Sequence, residues 1–144
     1  GLDFVKGDAQ NLPFEDKHFD AVVNIESARA YPNIAQFFDE VNRVLKDDGK
    51  FLFADMMKAQ DVKQIRDLIA EKGFAIEAEK DIRENVVMAM EKNTERNKSA
   101  INKRIHWLLR GAFYEFAGVQ GSNRYYAFYN SDMHYRSFTL TKAN

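Results

Sequence analysis

The stretch between residues 19 and 55 constrains this chain more than any other. Phe19-Asp20-Ala21-Val22-Val23-Asn24-Ile25 has a continuous β-branched centre. It reads as a strand covered on both faces, as in parallel sheets. Ile34, Phe37, Phe38, Val41, Val44 and Leu45 then keep i, i+3, i+4, i+7 spacing, which puts them on one face of an amphipathic helix. Pro32 stands near its start, and Asp47-Asp48-Gly49 is the expected stop. Lys50-Phe51-Leu52-Phe53-Ala54-Asp55 reads as a second strand. Strand, helix, strand in that order makes one right-handed βαβ unit. Topology also fixes where such a unit meets ligands, at the C-terminal ends of its strands.

The flanks extend this alternation. Leu2-Asp3-Phe4-Val5, closed by Gly7-Asp8, reads as a short strand and turn; residues 11–18 follow as a loop and a polar turn. Val62, Ile65, Leu68 and Ile69 mark a helix stopped by Gly73, and Phe74 to Glu79 alternates like a strand. From Asn85 to Phe116 the pattern is helical. The polar middle, Glu91 to Ser99, predicts two helices or one with a solvated waist. Ile101, Ile105, Leu108, Leu109, Ala112, Phe113 and Phe116 predict a buried stripe, ended by Gly118 and Gly121. Tyr125 to Tyr129 fits a helical turn or a strand, and Tyr135 to Leu140 reads as a final strand. The expected class is α/β, in a single domain. Its parts would be a core at 1–83, an inserted helical cover at 84–121 and a C-terminal strand region at 122–144.

Composition excludes several functions. The 21 basic and 22 acidic residues give a net charge of −1, so no global field draws the chain to nucleic acid. With no cysteine there is no disulfide, thiolate metal site or thiol nucleophile. His18, His106 and His134 have no metal-ligand spacing, and Ser27, Ser131 and Ser137 lack the G-x-S-x-G elbow. Lys98, Lys103, Arg104 and Arg110 lie beside Trp107, but Glu91, Glu95 and Glu115 dilute the run, which reads as a solvated face. No apolar run reaches membrane-spanning length, and the first residues lack signal-peptide order. A cytoplasmic location is the default expectation. Aromatic residues make up 13% of the chain and crowd its last third, suiting a core or an apolar ligand pocket.

Taken together, these motifs resemble the middle and C-terminal parts of class I S-adenosylmethionine-dependent methyltransferases. Gly7-Asp8-Ala9-Gln10-Asn11-Leu12-Pro13-Phe14 is similar to that family's acidic loop after its third strand, and Phe19 to Asn24 to its fourth strand. Phe38-Asp39-Glu40-Val41-Asn42-Arg43-Val44-Leu45-Lys46 with Gly49 to Asp55 is similar to its next helix and fifth strand. Asp47-Asp48-Gly49 replaces the usual Pro-Gly-Gly, a change of turn only. Phe113-Tyr114-Glu115-Phe116-Ala117-Gly118 and Tyr135-Arg136-Ser137-Phe138 resemble the tail of small-molecule members acting on lipid-like and polyketide-like substrates.

The resemblance implies a partial Rossmann-like sheet flanked by helices, with S-adenosylmethionine as cofactor. Asp8 would accept from the adenine amino group, with the Ala9 and Gln10 backbone closing over the ring, although Gly7-Asp8 also suits a plain turn. Asn24, Ile25 and Glu26 would line the donor site. Glu26 and Tyr31 would act on the acceptor, although Glu26 also suits a solvated loop. Arg29 stands where related sequences usually carry His, so it suits an anionic acceptor group better than proton abstraction. Tyr31, Trp107 and Phe113 would contact a small apolar substrate, since the family's inserted helices cover that pocket.

The seven glycines include no G-x-G-x-G. The expectation is a chain truncated before the glycine-rich cofactor turn, and inactive by itself. In the family sheet the absent strands lie between the third and fourth strands. Leu2 to Val5 would therefore lack a neighbour unless it re-pairs or a swapped homodimer completes the sheet. The alternative function is a non-catalytic remnant acting as a binding or dimerisation module.

Overall fold

A computed structural model describes residues 1–143. The central unit forms as the spacing predicts: β1 (Phe19–Ile25), α1 (Ile34–Val44) and β2 (Leu45–Lys58). Asn33 caps α1 by accepting from the Gln36 N–H at 3.1 Å. β1 pairs parallel with β2, Val22 opposite Phe51 and Asn24 opposite Phe53. Residues 47–49, expected as a free turn, lie inside β2, whose register with β1 shifts between Phe19 and Ala21. The irregularity lets helix and strand join without a separate loop.

After β2 come α2 (Val62–Glu71), β3 (Phe74–Asp81), α3 (Arg83–Arg104), α4 (Arg110–Ala117), α5 (Asn123–Tyr129) and β4 (Met133–Lys142). The sheet order is β1-β2-β4-β3. β4 runs against both neighbours. The Ala143 N–H donates to the Gly73 carbonyl just before β3, and Lys142 lies 3.7 Å from Asp47 near the start of β2.

The chain divides into two compact units. The first holds residues 1–56, 60–80 and 136 onward; the second holds 57–59 and 81–135. In the first, the α1 face buries Phe37, Phe38, Val41 and Val44 against the sheet. Phe38 packs edge-on against Phe37, Phe51, Phe53 and Phe74, and Phe53 stacks on Phe138. Each such ring pair adds roughly 0.5–1.5 kcal/mol beyond area burial.

Two expectations for this unit are corrected. Leu2, Phe4 and Val5 form no strand and stand exposed, because no strand lies beside them to take their backbone groups. β1, expected to be covered on both faces, exposes Val23 at 59% and Ile25 at 61%. It is the edge of this sheet, and only its α1 side is packed.

The second unit is helical. The stretch from Asn85 to Phe116 forms two helices, as one of the two options predicted, but α3 runs unbroken through the polar middle and the break falls after it; Tyr125 to Tyr129 lies in α5. The hydroxyl of buried Thr94 donates to the Met90 carbonyl at 2.8 Å and accepts from the Gln120 N–H at 2.9 Å. Gly118 ends α4 in the left-handed region at φ 58°, where a Cβ would meet Met90 Cε at 2.9 Å. The expected buried stripe is overturned beyond Ile101: Leu108, Leu109, Phe113 and Phe116 are exposed. The spacing presumes one continuous helix. The chain instead leaves α3 at Ile105 and makes a 3₁₀ turn at Trp107–Leu109, so the periodicity restarts out of phase.

Candidate functional site

The strongest concentration of polar chemistry sits where topology places ligands, at the C-terminal ends of parallel β1 and β2. Asn24 is buried there, next to the end of β1. Its Nδ2 donates to Ser27 Oγ at 2.7 Å and to the Tyr31 hydroxyl at 3.1 Å, and that hydroxyl lies 3.1 Å from Ser27 Oγ as donor. The Asn24 Oδ1 is buried with no partner among the described residues. Buried acceptors are nearly always satisfied, so an orphan at a ligand end marks a place for a donor.

Glu26 follows with φ 55°, a backbone conformation that residues with a Cβ seldom adopt. Its N–H donates to the Ala54 carbonyl at 2.9 Å, so the last rung of the ladder holds the turn and leaves the side chain exposed. Ala28–Ala30 then forms one 3₁₀ turn ending at Tyr31.

In the sequence Asp55 only ends a strand, and the structure makes it the anchor of this turn. It is buried and accepts from the Met56 N–H at 2.8 Å and from the Arg29 N–H at 3.4 Å. The Arg29 guanidinium lies 4.0 Å away and is half exposed. Burial pushes the Asp55 carboxyl above its ordinary value. The two N–H donors and the Arg29 charge oppose that rise, and the Glu26 charge adds to it. The one signal in the sequence was an acidic residue closing the apolar run Lys50 to Asp55 at its C-terminal end.

The acidic loop is held by a separate network. Asp8 Oδ1 accepts from the Gln10 N–H at 2.9 Å, the turn expected of Gly7-Asp8, and its carboxylate stays exposed. Gln10 Oε1 accepts from the Asn33 N–H at 2.7 Å, and its carbonyl accepts from Gln36 Nε2 at 2.9 Å. Arg43 donates to the Leu12 and Phe14 carbonyls at 3.0 and 2.8 Å, to Asp16 and to Glu40. Glu40 in turn accepts from the Leu12 N–H at 2.7 Å. Arg43 holds the Glu40 carboxyl below its ordinary value through their hydrogen bonds. The first unit thus carries Asp8, Ala9, Gln10, Asn24, Ile25, Glu26, Arg29 and Tyr31, while Trp107 and Phe113 belong to the second. Phe113 lines a shallow apolar concavity with Ala112 and Phe116, and Trp107 projects from the surface.

A mixed α/β sheet with its polar cluster at the carboxyl ends of two parallel strands is the arrangement in which open α/β folds bind ligands. Residues 1–53 match the family described as a methyltransferase domain. The phthiotriol/phenolphthiotriol dimycocerosates methyltransferase of Mycobacterium tuberculosis is 33% identical over 142 residues, 99% of this chain and 53% of that protein. A fatty-acid O-methyltransferase of Mycolicibacterium smegmatis is 41% identical over 110 residues, 76% of this chain and 40% of that protein. Among solved structures, the O-methyltransferase of a trans-AT PKS multienzyme from Brevibacillus brevis, in complex with S-adenosyl-L-homocysteine, gives a TM-score of 0.70 at 19% identity. That match covers 95% of this chain and 48% of the other. The cyclase SpnF gives 0.74 at 22% identity, over 98% and 56%. The chain thus has the fold of class I S-adenosylmethionine-dependent methyltransferases and is similar in sequence to methyltransferases along almost its whole length. It spans about half the length of the curated relatives it matches.

Proposed function

We propose that this chain forms the acceptor-facing part of an S-adenosylmethionine-dependent methyltransferase whose substrate is a small, apolar, lipid-like metabolite. The observation that carries the reading is the orphaned, buried Asn24 Oδ1 at the end of β1, beside the left-handed turn at Glu26. An acceptor without a donor fits a ligand rich in N–H and O–H groups, and so does the exposed Asp8 carboxylate. When bound, S-adenosylmethionine supplies an electrophilic methyl group on a positively charged sulfur.

In this reading Asp8 accepts from the adenine amino group, and Asn24 and Ile25 line the donor side. Glu26 orients an acceptor hydroxyl through its carboxylate or takes its proton. Tyr31, already bonded to Asn24, meets the same acceptor. Arg29 pairs with an anionic acceptor group, its turn braced from behind by Asp55. The chain's contribution is alignment and exclusion of water more than chemistry of its own. The lipid-like acceptor draws support from relatives whose names specify dimycocerosates and fatty acids. A cytoplasmic place of work belongs to the same reading.

The test is calorimetric titration of the 144-residue chain with S-adenosylmethionine, beside a version extended upstream, followed by transfer of labelled methyl to a hydroxylated fatty acid, which offers both a hydroxyl and an anionic group. Saturable binding and transfer by either protein support the reading, and Glu26→Gln should then lower kcat more than it raises KM. Silence from both sinks it. The exposed β1 edge favours a second reading, a dimerisation module that pairs this strand with another copy. That reading predicts a dimer on gel filtration without cofactor, and a compact monomer refutes it.

A further inference from the structure

We propose that the segment from Lys103 to Phe116 is a docking patch that seats the protein on a bilayer carrying anionic headgroups. The proposal is independent of the methyl-transfer reading. Trp107, Leu108 and Leu109 are 67%, 66% and 56% exposed, and Phe116, on the helix that follows, is 75% exposed. Apolar patches of this kind on a protein surface mark an interaction site.

These side chains are held out by a braced turn. The Ile105 N–H closes α3 on the Ile101 carbonyl at 2.8 Å, and the Leu109 N–H bonds the His106 carbonyl at 2.9 Å. The Arg110 guanidinium donates to the Ile105 and Asn102 carbonyls at 3.1 and 2.9 Å, which ties the start of α4 to the end of α3. A preformed turn loses little conformational freedom when its side chains are buried elsewhere.

Charge selects the partner. Glu95 and Glu115 bound the basic run and Glu95 pairs with Lys98 at 3.6 Å, but between them, next to the apolar turn, Lys103, Arg104 and Arg110 have no Asp or Glu among their sequence neighbours from Arg96 to Tyr114. Lys103 and Arg104 are exposed immediately before the apolar turn. Indole and leucine side chains bordered by Lys and Arg are what a headgroup boundary accommodates, the rings at the interface and the cations on anionic lipid. A second copy docking symmetrically would set each basic stretch against its own sign. A nucleic acid would stack on Trp107 but leave Leu108, Leu109 and Phe116 in water. Among the described residues no helix is long and apolar enough to cross a membrane, so the contact proposed is with the surface.

Trp107 is the only tryptophan, so its emission reads the patch directly. The experiment mixes the chain with phosphatidylcholine vesicles with and without phosphatidylglycerol and follows Trp107 emission and co-sedimentation. The expected result is a blue shift and sedimentation with the anionic vesicles only, both weakening as salt is raised. Lys103→Ala with Arg104→Ala should weaken partitioning by roughly tenfold or more. Leu108→Ser with Leu109→Ser should do the same while circular dichroism stays unchanged. Trp107 emission indifferent to anionic vesicles overturns the proposal, and that readout needs no variant to fold. A blue shift that tracks protein concentration without lipid, or a larger response to single-stranded RNA than to vesicles, also overturns it.

Discussion

The sheet unit and the helical unit are both rich in aromatic side chains and place them in opposite ways. Around α1, Phe38, Phe51, Phe53 and Phe138 are sealed between helix and sheet, ring against ring. In the helical unit Trp107, Phe113, Phe116, Tyr126 and Tyr129 face outward, and Val87, Ile101, Val119, Tyr125 and Phe128 form the smaller core. The sheet unit is held by apolar packing. The helical unit relies more on polar clasps: Thr94 joining Met90 to Gln120, Glu115 accepting from the Asn123 N–H, and Arg83 donating to the Phe128 carbonyl. A sheet offers a broad flat face that one helix can cover. Short helices cover one another only along narrow stripes, and the remaining faces stay open.

This contrast is open to attack at several points. Phe38→Ala should cost most, about 3–5 kcal/mol in urea unfolding, because the residue is fully buried among rings. A loss under about 1 kcal/mol would mean that the aromatic cluster does not carry the sheet unit. Thr94→Val should cost about 1–3 kcal/mol by leaving the Gln120 N–H unpaired, with loss of helical signal rather than of the sheet's.

Glu40→Gln tests the network that pins the acidic loop. Arg43 holds the folded Glu40 carboxyl below its ordinary value of 4.5, so its contribution is present above that value and disappears as pH falls through the lowered one. The variant should be less stable than the parent at neutral pH, with cleavage by protease in residues 8–18 rising several-fold. The two proteins should converge in acid. Asp55 has the opposite sign. Its folded value is raised above 3.8, so its stabilising contribution is complete below that value and is lost as pH rises through the raised one. Asp55→Asn should therefore flatten a small decline in stability over that window while keeping the turn at Arg29. The smallest effect belongs to Phe116→Ala, within about 0.5 kcal/mol on thermal unfolding, because the side chain is already in water.

Much of the fold was legible because it is local. The helical spacing of Ile34 to Leu45, the apolar centre of β1, the stop at Gly73 and the final strand need only neighbours in sequence, and each stands near its expected position. The placement of Asn24, Glu26, Arg29 and Tyr31 at and after the C-terminal end of β1 was legible as well, since it follows from strand direction. Asp55 was not, because its role arises only when the turn at Arg29 folds onto it. Arg43 was hidden for the same reason: its partners at Leu12, Phe14 and Asp16 lie 27 to 31 positions away.

The errors share a cause. The stripe from Ile105 to Phe116 has helical spacing, but the break at Trp107–Leu109 shifts its phase and leaves it outward. Leu2 to Val5 has a strand's composition and no strand beside it. By itself the sequence determined most of the segments that are helix or strand, their order and the end of the sheet where polar residues collect, since backbone preference and side-chain period act over a few residues. Which apolar faces are covered and which carboxylates are buried was decided only by tertiary structure, because burial depends on partners that folding brings from far along the chain.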